Sequence, residues 1–297
     1  MHKQYNSCRI SESKNLITFF SFETALAGGF LKNEESLKTE KKYPLTVSFC
    51  PESSLVQVNE IVSPDVLFGD YFYKTGSINT LKVHFKKMAE EYVLRNNNKN
   101  IVEIGCNDFS MLSNLIGTQY EKIIGVDPSN VAKNFQPEGT ILYNTCFDSN
   151  IAEKIISDHG HADIISASNC FAHIENIKDV TLGIKKLLSP NGIAVIEVHW
   201  LGNIIKNYQF PFIYHEHMYY YSLKAMKYLM DQFDLSVFDA QHIDIHGGSI
   251  RYYICHKGAY NIKQSVSDLE KEEIDLKLYD TNTYLDYSDN VKSLGIE

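Results

Sequence analysis

From residue 101 onward, short apolar runs alternate with amphipathic stretches. Residues 101–105 (Ile-Val-Glu-Ile-Gly) have the composition of a buried strand, 110–117 reads as a short helix, and 122–126 as a second strand. A second helix over 129–135, a weaker strand over 140–143 and a helix over 150–159 follow. A fourth strand is predicted over 162–167, a helix over 180–188 that stops at Ser189-Pro190-Asn191-Gly192, and a fifth strand over 193–198. Strands alternating with helices predict a mainly parallel sheet covered on both faces. After Ser222 the pattern changes. Residues 223–233 read as a helix, and 235–245 and 249–255 as two β runs split by His246-Gly247-Gly248, which fit a hairpin closing the far edge of the sheet. Residues 262–284 read as one charged helix.

Ahead of this region the signal is weaker. Residues 1–60 are irregular, with a Lys/Glu-rich stretch over 32–42 and short apolar runs over 45–61 broken by Pro51 and Ser53-Ser54. They predict a small, loop-rich unit with β segments. Tyr71-Phe72-Tyr73 leads into Lys74-Thr75-Gly76-Ser77, and an amphipathic helix is expected over 78–94, closed by the polar run 96–100. No internal repeat or low-complexity linker is present.

Composition narrows the classes. The 297 residues carry 44% apolar side chains, enough for a buried core. No run approaches the roughly 20 apolar residues of a membrane span, and the N-terminus lacks the apolar stretch of a secretory signal. A cytoplasmic protein is expected. With 28 basic against 37 acidic residues the formal net charge is −9, which disfavours nucleic acid and anionic membranes as partners. The six cysteines, Cys8, Cys50, Cys106, Cys146, Cys170 and Cys255, are too scattered for a disulfide framework.

Two constellations carry chemistry. In the first, the strand ending at Gly105 is followed some 20 residues on by the strand ending at Asp127. A glycine at the turn lets backbone approach a ligand, and the acid accepts hydrogen bonds from ribose hydroxyls. The loop is no dinucleotide fingerprint: it has one glycine, and Asp108 sits where a pyrophosphate would be repelled. An acidic loop suits a nucleoside that is positively charged and free of phosphate, as S-adenosylmethionine is. The second constellation follows the later strands. Asn169 and His173 fall after the fourth strand, on the crevice side of an open sheet. Beyond the fifth lies Tyr214-His215-Glu216-His217, four consecutive residues capable of proton chemistry in an aromatic segment, and then His246-Gly247 and the cation Arg251. A histidine among aromatics is more often a hydrogen-bonded core residue than a base. His215 and His217 could also be metal ligands with His242 or His246, but nothing fixes a third ligand, and no metal site is assigned.

Over nearly its whole length the chain resembles the sugar C-methyltransferases that act on nucleotide-linked 4-keto-deoxy sugars. The resemblance rests on Tyr43-Pro44-Leu45, Cys50-Pro51, Leu55-Val56-Gln57, the segment 71–77, Glu103-Ile104-Gly105-Cys106-Asn107-Asp108, the segment 169–174, Tyr214-His215-Glu216-His217 and His246-Gly247-Gly248-Ser249. It implies an α/β fold: a class I (Rossmann-like) methyltransferase sheet with a small irregular N-terminal lobe and a β-hairpin at the sheet edge. It also implies a mechanism in which a base at His217 removes the proton beside the sugar ketone and the resulting enolate carbon takes a methyl group from S-adenosylmethionine. Tyr73, His173, Tyr214 and Glu216 would bind the keto sugar and steady its oxyanion. The expected cofactor-binding residues are Glu103, Gly105, Asn107, Asp108, Asp127, Pro128 and Asn169, and the expected substrate-binding residues Tyr71, His215, His246, Gly247 and Arg251.

Three departures from that family qualify the resemblance. The family carries an N-terminal zinc site of two C-x-x-C pairs, whereas here Ser11 and Ser53 replace the second cysteine of each, so zinc is not expected. Phe109 stands where the family usually has glycine and is expected to narrow the methionine end of the cofactor pocket. The family continues into a further α/β domain, whereas this chain is expected to divide into a degenerate zinc-type lobe (1–70), a methyltransferase domain (71–260) and a helical segment (261–297) leading to an absent domain. The implied partners are a small sugar nucleotide, a separate chain supplying the missing domain, and otherwise a monomer or weak dimer. The competing readings are a catalytically impaired S-adenosylmethionine-binding remnant and a methyltransferase for another small molecule.

Overall fold

The computed structural model describes residues 2–26, 33–62, 74–95 and 99–294. In chain order the elements are β1 (His2–Gln4), β2 (Ile17–Thr24), α1 (Glu34–Thr39), β3 (Tyr43–Phe49), β4 (Val56–Val58), β5 (Glu60–Val62), α2 (Asn79–Val93), β6 (Asn100–Ile104), β7 (Lys122–Val126), α3 (Asn130–Phe135) and β8 (Ile141–Tyr143). They continue with α4 (Ser149–His159), β9 (Ala162–Ser168), α5 (Ile177–Leu187), β10 (Leu188–His199), α6 (Leu201–Lys206), β11 (Tyr219–Tyr220), α7 (Leu223–Asp231), β12 (Leu235–Ile243), β13 (Ser249–His256), α8 (Gln264–Asp275) and α9 (Thr281–Ser293).

Seven strands form the central sheet in the order β12-β13-β10-β9-β6-β7-β8. The five strands β10, β9, β6, β7 and β8 run parallel, and β13 enters antiparallel between β10 and β12, so the hairpin expected at the far edge is there. This is the class I methyltransferase sheet. Its strands are apolar on both sides because both are covered: one face packs Val102, Ile165 and Ile196 under α4, α5 and α7, the other packs Ile101, Ile164 and Val195 under Phe85, Met88 and Tyr92 of α2. Caps set the helix starts. Ser129 accepts from Ala132 N at 3.2 Å, Asp148 from Ile151 N at 2.7 Å and Ser222 from Ala225 N at 3.1 Å.

The N-terminal lobe is more regular than its sequence suggests. β2, β3 and β4 form a four-stranded sheet completed by β11 from the body of the molecule, and β1 pairs with β5. Phe19, Phe20 and Phe49 of this lobe pack on Tyr284 and Tyr287 of α9, the Phe49 and Tyr284 rings stacking at 4.3 Å. Lobe and body thus share an apolar contact here, each buried aromatic contributing about 1.5–3 kcal/mol, and a second where Ile10, Leu55 and Ile61 join the core of the central sheet.

Three expectations change. The helix over 110–117 is a single 3₁₀ turn, Leu112–Leu115, because the preceding backbone is left-handed at Phe109. The turn residues Ser189–Gly192 lie inside β10 as a register shift between Leu188 and Ile193. The charged helix over 262–284 is two helices, broken where Lys277 turns left-handed and Asp280 caps α9 by accepting from Asn282 N at 3.0 Å. Among the described residues no helix is long and apolar enough to cross a membrane.

Candidate active site

The crevice lies at the carboxyl ends of β6, β9 and β10, as open α/β sheets require. Gly105 turns there with φ 74°, and a Cβ on it would lie 2.7 Å from Cys170 Cβ, so the position accepts glycine alone. Asn107 and Asp108 latch this loop to the turn before α2. Asn107 Oδ1 accepts from Thr75 N at 3.1 Å, and Asp108 accepts from Gly76 N at 2.7 Å and Ser110 Oγ at 2.5 Å. Asp127 is buried and accepts from Asn107 N at 3.0 Å and Ser129 N at 2.8 Å, with exposed Pro128 between the two strand-end residues. Glu103 is buried with Oε2 unpartnered, and burial, with Asp127 and Asp108 nearby, pushes its carboxyl well above the usual range. Asn169 adopts φ 55°, and its Oδ1 is also buried without a partner.

These residues define what the cleft accepts. Two orphaned acceptors on adjacent strands and three carboxyls favour a ligand that brings donors and positive charge. An adenosyl sulfonium with an amino group fits, and a pyrophosphate does not. A small, partly open pocket runs along Glu103, Gly105, Cys106, Ser110, Met111 and Ser168, at the turn that follows β6. Phe109 is not in its lining. Its ring is fully buried against the face of β7 where Gly125 leaves room, a Cβ on Gly125 falling 2.9 Å from the ring. The expected narrowing of the pocket is therefore corrected: Phe109 occupies a left-handed backbone position (φ 60°) and turns its ring into the core.

Four imidazoles gather beside this cleft. The His217 ring lies 5.0 Å from His173 and 5.0 Å from His199, and His199 lies 5.6 Å from His246. His217 Nδ1 is 2.8 Å from Phe212 O, which can only accept, so Nδ1 carries the proton and Nε2 accepts from the Tyr214 hydroxyl at 2.9 Å. Burial, with His173 alongside, presses His217 down to about 3; burial and the neighbouring His217 and His246 press His199 to about 3; burial and His199 press His173 to about 4. The cluster is neutral at physiological pH. Its backbone is clamped from two sides: Met218 N donates to Ala172 O at 2.9 Å, and Val58 N of the lobe donates to Met218 O at 3.0 Å. Glu216 is partly buried, which raises its carboxyl, and no described group hydrogen-bonds to it.

The remaining expected residues fall elsewhere. His215 is buried at the lobe junction, its Nε2 donating to Pro44 O at 3.0 Å, instead of joining the imidazole cluster. Arg251 is not a free substrate cation: it is buried between Glu197 and Glu91, at 3.0 and 2.9 Å, and His84 meets the other oxygen of Glu197 at 2.8 Å. Such a buried network consumes the guanidinium within the sheet. Gly247 contributes backbone, its carbonyl accepting from Gln209 Nε2 at 2.9 Å. Tyr71 and Tyr73 lie outside the described residues. From the sequence, His199 after the fifth strand falls on the sugar side but is given no role in the site, though a histidine closing that strand is a usable signal. Sequence reasoning missed Glu273, a fully buried carboxylate accepting from Trp200 Nε1, Leu223 N and Tyr279 Oη at 2.8 Å each.

In the lobe, Cys8, Ser11, Cys50 and Ser53 converge. Cys8 Sγ lies 3.2 Å from Ser53 Oγ, and Ser11 Oγ 3.5 Å from Cys50 Sγ. The hydrogen bond between the thiols holds the Cys8 proton tightly and lowers Cys50. Two thiols and two neutral hydroxyls do not fit a closed tetrahedral zinc site, and among the described residues no group of three His, Cys, Asp or Glu is set to hold a metal.

Residues 81–240, more than half of the chain, match the sequence profile of a methyltransferase domain. The chain belongs to the methyltransferase-domain family. Residues 8–68 of this methyltransferase match a putative zinc binding domain and residues 244–295 a C-methyltransferase C-terminal domain. The second match corrects the expectation that the C-terminal segment only leads toward an absent domain: it carries sequence of that domain. The methyltransferase is 32% identical over 274 residues to the C-methyltransferase NovU of Streptomyces niveus, covering 90% of this chain and 65% of that relative. It thus spans less than two thirds of NovU. Among solved structures it is similar to an S-adenosylmethionine-dependent methyltransferase of Clostridium acetobutylicum (TM-score 0.45, 13% identity, 62% of this chain and 94% of that one). It is also similar to a putative hemolysin of Lactococcus lactis (TM-score 0.46, 14% identity, 66% and 98%).

Proposed function

We propose that this protein is an S-adenosylmethionine-dependent C-methyltransferase that enolises a nucleotide-linked keto-deoxy sugar with His217 as base. The observation that carries the reading is the fixed tautomer of His217, whose unprotonated Nε2 stands in a neutral imidazole cluster beside an acid-rich nucleoside cleft. Similarity to NovU over 90% of the chain supports methylation at carbon. Glu103, Asp127 and Asn169 would hold the cofactor, which supplies, when bound, an electrophilic methyl group on a sulfonium.

The chain's own groups account for the proton step. The bond from hydrogen to the carbon beside the ketone breaks, the proton goes to His217 Nε2, and the electron pair passes into the enolate. Tyr214, displaced from Nε2, would donate to the ketone oxygen. Burial makes imidazolium costly at rest, and the enolate charge forming alongside offsets that cost, so protonation is coupled to enolisation. Phe212 O holds the Nδ1 proton throughout. The lobe holds without structural zinc, through its own sheet and its contact with α9.

The test separates enolisation from methyl transfer. The protein is saturated with S-adenosylhomocysteine and given a nucleotide-linked 4-keto-6-deoxyhexose in D₂O, and exchange of the proton beside the ketone is followed by NMR. The wild type should exchange it, and His217→Asn should slow exchange by about 10²–10⁴-fold. Equal exchange in the variant removes His217 from the role of base.

A further inference from the structure

His199 is the last residue of β10, at the carboxyl edge of the sheet where the crevice opens. Its ring lies between those of His217 (5.0 Å), His246 (5.6 Å) and Phe212 (4.6 Å). One ring nitrogen meets the His246 backbone, and the other, Nε2, is buried with no hydrogen-bond partner. With its proton held by the backbone, the neutral ring presents a lone pair at Nε2. Buried polar atoms are nearly always satisfied, and an orphan next to a catalytic cluster marks a place for a ligand group. The bond to the His246 backbone accounts for one ring nitrogen and leaves Nε2, whose burial costs desolvation, without a partner.

The turn that carries His246 keeps this lone pair in place. His246, Gly247 and Gly248 all have positive φ (52°, 76° and 106°), and Asn203 Nδ2 and Gln209 Nε2 both donate to Gly247 O. A lone pair can only accept. The complementary group must donate, which a ketone oxygen cannot do and a hydroxyl can.

Resting on the reading of the site as a keto-sugar methyltransferase, we propose that His199 is a specificity-determining residue whose Nε2 accepts a hydrogen bond from a hydroxyl of the sugar close to the carbon His217 deprotonates. The substrate class is thereby narrowed to keto sugars that retain a hydroxyl there, against counterparts deoxygenated at that position. A site that pairs a buried acceptor with a substrate hydroxyl discriminates strongly against the analogue lacking it, because the acceptor then stays unpaired.

The experiment titrates the full chain, saturated with S-adenosylhomocysteine, with a nucleoside-diphosphate 4-keto-6-deoxyhexose bearing both its 2- and 3-hydroxyls, and with its 2-deoxy and 3-deoxy counterparts. The wild type should bind the hydroxylated sugar about ten-fold or more tightly than one of the deoxy sugars. His199→Leu should abolish that preference while leaving affinity for the same deoxy sugar within about two-fold, and His199→Gln, which keeps an acceptor, should restore part of it. In wild-type protein with ¹⁵N-labelled histidine, the Nε2 signal of His199 should shift with the hydroxylated sugar and not with that deoxy sugar, a readout independent of whether the variants fold. A preference that persists in His199→Leu, or an unmoved Nε2 signal, overturns the role of His199 and leaves the base at His217 standing. Failure of the wild type to bind any of these sugars overturns the underlying reading and this one with it.

Discussion

Phe109 and His217 show how single positions answer to backbone and burial before chemistry. The left-handed backbone at Phe109 costs a non-glycine residue about 1–2 kcal/mol, offset by a fully buried ring. Phe109→Ala should lose about 3–5 kcal/mol of stability and keep the strain, while Phe109→Gly should be about 1 kcal/mol more stable than the alanine variant, the reverse of the usual ranking. Urea denaturation of the three proteins checks that order. The histidines make a pH prediction. His173, His199 and His217 have folded values of about 4, 3 and 3, below the roughly 6.5 of an unfolded chain, so the unfolded state binds more protons between those limits. Their contribution is whole above about pH 6.5 and is lost as the pH falls toward 3, at up to about 1.4 kcal/mol per pH unit for each ring. The denaturation midpoint should therefore drop between pH 7 and 5, and less steeply in His217→Asn. In the sequence, the run Tyr214 to His217 pointed to proton chemistry from its composition alone. It did not reveal that His215 turns to the lobe, since adjacent residues in a tight turn part company according to contacts far away in the chain, here Pro44.

At the scale of elements, alternation carried the reading: the strands and helices of the central sheet follow from apolar periodicity, with caps at Ser129, Asp148 and Ser222. What periodicity missed were places where tertiary contacts override it. The break between α8 and α9 lets Glu273 reach Trp200, Leu223 and Tyr279, a junction no local pattern announces. Glu273→Ala leaves two buried donors, Trp200 Nε1 and Leu223 N, unpaired and should cost several kcal/mol, roughly 1–3 for each, seen as a lower thermal midpoint. The turn after β12 makes a sharper test. A Cβ at Gly248 would fall 1.7 Å from Asn203 Nδ2 at φ 106°. Gly248→Ala should therefore destabilise by about 1–3 kcal/mol or more, and adding Asn203→Ala should relieve the clash but not the backbone strain, a partial rescue measurable in a double-mutant cycle.

Across the whole molecule, the N-terminal lobe acts on the site through backbone. β4 pairs with β11, and Val58 N bonds Met218 O, so the lobe fixes the segment that carries His217. Its fold was poorly legible because its apolar runs are broken by Pro51 and Ser53-Ser54 and its sheet is completed by β11 from far along the chain, although the half replacement of its cysteine pairs was plain in the sequence. Purified protein should contain far less than one zinc per chain by mass spectrometry. The double variant Ser11→Cys/Ser53→Cys, which places four sulfurs where two thiols and two hydroxyls now meet, should bind about one. The central claim, a methyl group placed on carbon by a histidine base, is tested most directly with S-adenosylmethionine carrying a ¹³C methyl group and a nucleotide-linked 4-keto-6-deoxyhexose. The account predicts a new ¹³C–C bond at the carbon beside the ketone in the wild-type product and its near absence with His217→Asn. Label found on oxygen or nitrogen, or equal labelling by the variant, would contradict it.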